Sequence, residues 1–368
     1  MCDVPVLRPD ERAGFRLREL YRRRGYLPYR MSRFESYDLY ASNKSFLVSE
    51  NILTFTDTDG RLMALKPDVT LSIVRSAPCA GTTQKVYYQE NVYRTSPAAA
   101  GYREIMQAGL ECIGSIDLLD MGETLSLAAE SLALLGGDYL LDIGHTGVVS
   151  GMLEGVREPF RSQLLEEIGR KNPAAIRELC ARAGTAFHQA EMLCRLSQLY
   201  GPPREVLPQL AELADTAPCR DALEELQDLC ALLENSGFVQ GLRLDFSIAN
   251  DMRYYSGVIF RGYLPGLARG VLAGGRYDNL LRRMGKQGGA IGFAVYLDQL
   301  ERLDTGLDYD VDILLLYGPG DAPASVSRLA QKLAGQGKAV RTARNVPADL
   351  RYRELIRFRE GGADDGYD

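Results

Sequence analysis

The stretch from Val86 to Gly114, VYYQENVYRTSPAAAGYREIMQAGLECIG, puts an amide, a carboxylate and two guanidinium groups where they could hold a small polar ligand. Val86 to Arg94 is rich in Val and Tyr and reads as a strand. After a Ser-Pro-Ala-Ala-Ala-Gly link, Tyr102 to Ile113 resumes as a second strand, so the two form a long hairpin. Side chains alternate along a strand, so Ile105, Gln107, Gly109 and Glu111 share one face, while Glu104, Met106, Ala108, Leu110 and Cys112 take the other and face a core. On the first face the Gln107 amide and the Glu111 carboxylate stand about 13 Å apart, at roughly 3.3 Å per residue. Gly109 between them offers no side chain, which leaves a floor for a ligand. Arg94 and Arg103 close the strands around the link, and guanidinium forks hold carboxylates or phosphates. The plain alternative is that these are the outer polar residues of a half-solvated antiparallel sheet.

The elements that must position these groups follow from periodicity. Asp10 to Arg24 reads as an amphipathic helix with Phe15, Leu20 and Tyr21 among arginines and Asp10 available as its cap. ILTF and RLMAL flank the polar turn Asp57-Thr58-Asp59-Gly60 as short strands, and at Lys66-Pro67-Asp68-Val69-Thr70 the pattern switches to a helix with Pro in its first turn. A strand, DYLLDIGH, precedes mostly helical sequence from about Gly151 to Gly237. There Ile176, Leu179, Cys180 and Ala183 keep helical spacing, as do Leu223, Leu226 and Leu229 through Leu232 and Leu233, and Pro202-Pro203 breaks the run. Strands return in LRLDFSI and YYSGVIFRGY, followed by the Gly-rich LARGVLAGGRYDNLLRRMG, whose glycines fit neither Walker nor dinucleotide spacing. VDILLLYG, an Ala- and Leu-containing helix and KAVRTAR form a terminal β-α-β unit.

Composition bounds the possibilities. A chain of 368 residues exceeds one typical domain, and 46% hydrophobic with 25% charged residues is ordinary for a globular protein. The formal net charge of −6 gives no overall basic field to attract nucleic acid. Seven cysteines, odd in number and never spaced C-x-x-C, point to buried thiols in a reducing cytosol and to neither a disulfide framework nor a zinc site. With only His145 and His188, both expected to be packed residues, a histidine-built metal site or a His-centred triad has too few members. No long apolar run and no signal-peptide core is present, so a cytoplasmic chain without a membrane segment is expected.

The hairpin resembles motif 2 of class II aminoacyl-tRNA synthetases, closely that of histidyl-tRNA synthetase: an aromatic strand ending in Arg, a loop, then a Tyr-Arg-Glu strand leading to Gln and Glu. GYLPYRMSRFESYDLY resembles the motif 1 region, with Ser32 where that motif has Pro, which implies a homodimeric core. The resemblance implies an α+β fold: a class II synthetase-like antiparallel sheet flanked by helices, with a helical insertion and a short C-terminal α/β unit. It divides the chain into a histidine-binding core at 1–150 and 238–306, an insertion at 151–237, and a truncated unit at 307–368 resembling an anticodon-binding domain. It also implies roles. Gln107 and Glu111 hold histidine, and Arg94 its carboxylate. Asp68 and Thr70, in the place of the family's Leu-Arg-Pro-Glu-Gly-Thr element, meet the ammonium. Tyr254, Tyr255 and Tyr277, in YYSGVIF and GGRYD, line the imidazole side.

What departs from the family bears on activity. Adenylation joins two anions and needs fixed cations where charge accumulates. Of the three arginines used by histidyl-tRNA synthetases only Arg94 is matched; Asn250 and Gln299 stand at the other two positions, and Ser96 replaces the Glu that follows the motif 2 Arg. A histidine pocket without its adenylation chemistry resembles the regulatory subunits of ATP phosphoribosyltransferase. That resemblance implies a non-catalytic chain that binds L-histidine, needs no cofactor and binds no tRNA. Its partner would be a short-form catalytic subunit in a hetero-octamer, giving feedback control of the first step of histidine biosynthesis. A divergent histidine-activating enzyme and a dimeric scaffold that has lost histidine binding are the alternatives.

Overall fold

The computed structural model describes residues 7–47, 51–77, 82–96, 99–238, 240–249, 254–303 and 309–359. The chain divides into two compact units, Met1–Leu303 and Asp304–Asp368. The first is built on a nine-stranded sheet whose spatial order is Leu27–Pro28, Gln84–Ser96, Ala99–Gly114, Gly289–Tyr296, Leu272–Arg276, Val258–Tyr263, Leu140–His145, Leu242–Asp245 and Tyr200–Gly201. Neighbours run antiparallel except at the pairs 27–28 with 84–96 and 140–145 with 242–245. The hairpin lies toward one side of this sheet. The second half of its second strand, from Gln107 to Gly114, pairs with Gly289–Tyr296, a strand from the far end of the unit.

One face of the sheet is covered by helices. Pro9–Arg23 and Leu118–Gly136 pack there through Leu17, Tyr21, Leu125, Ala128 and Leu132, all fully buried or nearly so, against Leu110, Cys112 and Phe293. Helices Phe160–Gly169, Pro173–Ala183, Phe187–Gln198, Pro203–Leu213 and Ala217–Asn235 extend the same hydrophobic cluster through Leu164, Ile176, Leu193, Leu210 and Leu226. Pro203 starts its helix at the first position, where the missing N–H costs no hydrogen bond. A second cluster on the opposite face joins Val69, Leu71 and Ile73 to Val86, Tyr88, Tyr277 and Leu280.

Four local expectations are corrected. The first helix is entered from Arg8, whose backbone N–H donates to Glu11 Oε2 at 3.0 Å, and Asp10 lies buried inside the first turn and is not the cap. The helix expected at Lys66 begins at Thr70, with Pro67 ahead of it; the Asp68 carboxylate accepts from the Leu71 N–H at 2.8 Å and takes a capping role in the bend. A third strand, Phe34–Ser36, joins Thr54–Thr56 and Leu62–Leu65 in a small antiparallel sheet. His188 is an exposed residue, its side chain 80% accessible.

The second unit is a three-stranded parallel sheet, ordered Val340–Ala343, Val311–Leu316, Tyr352–Arg357, with one helix, Pro323–Gly335, among its described residues. Its third strand extends the expected β-α-β unit. Across the described residues no helix is long and apolar enough to cross a membrane.

Candidate functional site

The site forms where the hairpin meets the bend at 66–70. The Tyr93 N–H donates to Lys66 O at 2.9 Å and Arg94 Nε donates to Pro67 O at 2.8 Å, so the first hairpin strand grips the bend edge-on. Lys66 is fully buried and paired with Glu90, which stands directly across from Gln107. An ammonium so deep needs that partner, because an unpaired buried charge is costly. The grip brings Asp68 and Thr70 over the face that carries Gln107 and Glu111.

The sheet register supplies the floor. Glu111 lies opposite Gly292, and Gly109 opposite Ala294 on one side and Tyr88 on the other. A Cβ at Gly292 would overlap Glu111 Oε2, and one at Gly109 would come within 2.6 Å of the Tyr88 hydroxyl, so both positions must lack side chains for the polar groups to lie flat. The result is a cavity of about 110 Å³ in which Asp68, Thr70, Arg94, Gln107, Glu111, Tyr254, Tyr255 and Tyr277 all take part. That is small beside the roughly 300–1,000 Å³ of typical drug-sized pockets, and suits one compact polar molecule.

Within it the Glu111 carboxylate receives Thr70 Oγ1 at 2.8 Å on one oxygen and the Tyr277 hydroxyl on the other. Burial pushes its pKa up to about 8, and the nearby Asp68 charge adds to the rise, against the pull of the two hydroxyl donors. Asp68 is likewise raised by burial, offset by the Arg94 guanidinium 3.8 Å away and by backbone N–H donors. Burial also lifts the Tyr254 and Tyr277 hydroxyls well above the ordinary tyrosine value, so both remain neutral donors. Gln107 is 2% exposed and its Nε2 has no hydrogen-bond partner. A buried amide N–H left unsatisfied costs about 1–3 kcal/mol, which an acceptor on a ligand would recover. The cavity therefore holds two carboxyl groups, one guanidinium and an unused amide donor: a match for a compact molecule with a carboxylate and more than one nitrogen donor.

The eight residues singled out from the sequence thus come together in one place. Arg103, opposite Arg94 in the hairpin, does not join them; it is exposed. Tyr254 and Tyr255 lie in the turn ahead of the strand Val258–Tyr263, and Tyr277 sits just ahead of the helix Asp278–Arg283. Gln299 donates to the neighbouring Asp298 carboxylate at 2.9 Å and is not among the cavity-lining residues. Asn250 lies outside the described residues. Sequence reasoning missed other residues of the walls, among them Tyr88, Phe46, Leu47 and Tyr296. For Tyr88 a signal exists: it falls six residues before Arg94, on the same strand face. Among the described residues no group of His, Cys, Asp and Glu is placed to hold a metal ion.

Sheet, hairpin and pocket define a class II synthetase-like chain, and residues 7–300 match the family model described as histidyl-tRNA synthetase. Over 295 residues the chain is 30% identical to the ATP phosphoribosyltransferase regulatory subunit of Alkaliphilus metalliredigens (strain QYMF), covering 78% of this chain and 74% of the relative. A solved ATP phosphoribosyltransferase regulatory subunit/histidyl-tRNA synthetase from Bacillus halodurans C superposes with a TM-score of 0.77 at 25% identity, over 95% of this chain and 93% of that one. A chain of the ATP phosphoribosyl transferase (HisG:HisZ) complex from Thermotoga maritima shares the fold, with a TM-score of 0.62 at 23% identity over 78% and 97% of the two chains. The chain belongs to the histidyl-tRNA synthetase-like family of ATP phosphoribosyltransferase regulatory subunits.

Proposed function

We propose that the chain binds L-histidine in this cavity, carries out no chemistry of its own, and passes the occupancy of the site to a short-form ATP phosphoribosyltransferase catalytic subunit. The observation that carries the reading is the convergence of Asp68, Arg94, Gln107 and Glu111 on one small buried space, with the Gln107 amide unsatisfied. In this reading Arg94 takes the histidine carboxylate, and Asp68 with Thr70 takes the ammonium. Glu111, aligned by Tyr277, meets an imidazole nitrogen between the Tyr254 and Tyr255 rings. The assembly is a hetero-octamer in the cytoplasm, four regulatory chains on homodimeric cores with four catalytic subunits, engaging neither tRNA nor membrane.

Gln299 in place of the third arginine supports a non-catalytic role, because loss of one preorganised stabiliser commonly costs about 10²–10³ in rate. The test is phosphoribosyl-ATP formation by a short-form catalytic subunit, with and without this chain, across a histidine titration. Activity that changes on adding the chain and falls with histidine is expected. No effect and no co-elution would sink the proposal. Retention of the buried Arg94 keeps one other reading, a histidine-activating enzyme; histidine-dependent exchange of pyrophosphate into ATP would establish it, and none is expected.

A further inference from the structure

The tyrosine wall of the cavity is held from outside the cavity by a chain of polar contacts. The turn that carries Tyr254 and Tyr255 is pinned just beyond them. The Ser256 N–H donates to Arg276 O at 2.8 Å, Ser256 Oγ accepts from the Asp278 N–H at 2.9 Å, and Gly257 O accepts from the Thr146 N–H at 2.9 Å and from Thr146 Oγ1 at 3.1 Å. A Cβ at Gly257 would stand 3.0 Å from Arg276 Cδ, so the turn lies directly against the Arg276 stem. Arg276 and Asp278 also flank Tyr277, the donor to Glu111. Whatever fixes Arg276 therefore fixes three of the site's tyrosines.

Two carboxylates fix it. Arg276 Nε donates to Asp278 Oδ2 at 2.8 Å, and Asp278 Oδ1 in turn accepts from the Ala290 N–H at 3.0 Å. Arg276 Nη1 reaches Glu225 Oε2 at 3.4 Å, and Glu225 belongs to the helix Ala217–Asn235, which contributes nothing to the cavity lining. The other Glu225 oxygen lies 3.0 Å from His145 Nε2. Because His145 Nδ1 accepts from the Gly147 N–H at 3.1 Å, a neutral His145 ring carries its proton on Nε2 and donates it to Glu225. These bonds keep the Glu225 carboxyl below its usual pKa, with His145 the largest cause. His145 and Thr146 are consecutive, so one end of the strand Leu140–His145 holds both the Glu225 carboxylate and the turn.

We infer that Glu225 is a positioning residue for the ligand pocket, acting through Arg276 on Tyr254, Tyr255 and Tyr277, with His145 orienting Glu225. This rests on the histidine-binding reading above. It makes the helix Ala217–Asn235 part of the binding apparatus although it touches no ligand: a shift of that helix would be felt at the tyrosine wall, and occupancy of the pocket would be felt at the helix.

The test is calorimetric titration of L-histidine into the full chain and into Glu225→Ala, Glu225→Gln, Tyr277→Phe and the Glu225→Ala/Tyr277→Phe double variant. Glu225→Ala is expected to weaken binding on the order of tenfold, with Glu225→Gln, which keeps one of the two bonds, in between. The double variant is expected to lose less than the product of the single losses, since both act through one wall. A purely structural role would lower the melting temperature and leave the losses multiplicative, which overturns the inference. Should Glu225→Ala fail to fold, the same cycle built on Glu225→Gln decides. If the unsubstituted chain binds histidine and the Glu225 variants match it, only this inference fails. If the unsubstituted chain takes up no histidine, the binding reading fails and takes this inference with it.

Discussion

Glu111 concentrates the chemistry of the pocket, because a carboxyl in so dry a place does not ionise easily. Its raised pKa means the folded chain holds that proton more tightly than the unfolded chain does. The stability this contributes is fully present below about 4.5 and is lost as pH rises toward about 8. We expect thermal melts of the ligand-free chain to show that decline, and Glu111→Gln to flatten it; an unchanged slope in the variant would place the titrating group elsewhere. Gln107→Ala should abolish the response to histidine while leaving co-elution with the catalytic subunit intact. Loss of assembly would instead make Gln107 a structural residue. Gln107, Glu111 and Arg94 are legible in the sequence because a strand's period of two puts polar groups on one face. Tyr88 obeys the same rule but looks like any strand tyrosine until its partner is seen to be Gly109.

At the scale of elements, the hairpin, the first helix, the strand Leu140–His145 and the helices from Phe160 to Asn235 are readable from apolar periodicity. What is not readable follows from long-range pairing. Phe34–Ser36 has only three residues and no pattern of its own, and it is a strand because Leu62–Leu65 pairs with it. The start of the helix at Thr70 is set by the grip of Arg94 on Pro67 and by Asp68 capping the bend, where the sequence alone offers Pro67 as a first-turn residue. The link from His145 through Glu225 to Arg276 joins positions 80 and 51 residues apart, beyond the reach of any local pattern. The strand pair under the site makes its own prediction. Gly292→Ala places a methyl group against the Glu111 carboxylate, so it should destabilise the chain by about 1–3 kcal/mol in denaturant unfolding and remove thermal stabilisation by histidine. A variant as stable and as responsive as the parent would show that the strands part easily there.

For the whole molecule, the proposed function would make the pocket one half of a coupled equilibrium. If histidine on this chain alters the catalytic partner's affinity for its ligands, those ligands must alter histidine affinity by the same factor. Calorimetry on the complex, with and without the partner's substrates, should show that reciprocal shift, and identical histidine isotherms would exclude an affinity-based mechanism. The cavity also draws its walls from widely separated parts of the chain: the bond from Thr70 to Glu111 spans 41 residues and that from Tyr277 to Glu111 spans 166. Closing so long a loop comes late in folding, since its entropic cost is met before the contact forms. If the chain binds histidine as proposed, a ribosome-bound chain that has not yet released Tyr277 and Gly292 would therefore be blind to it, however complete its hairpin. On the proposed reading, the pocket would begin to take its ligand only after the strand Gly289–Tyr296 has joined the hairpin.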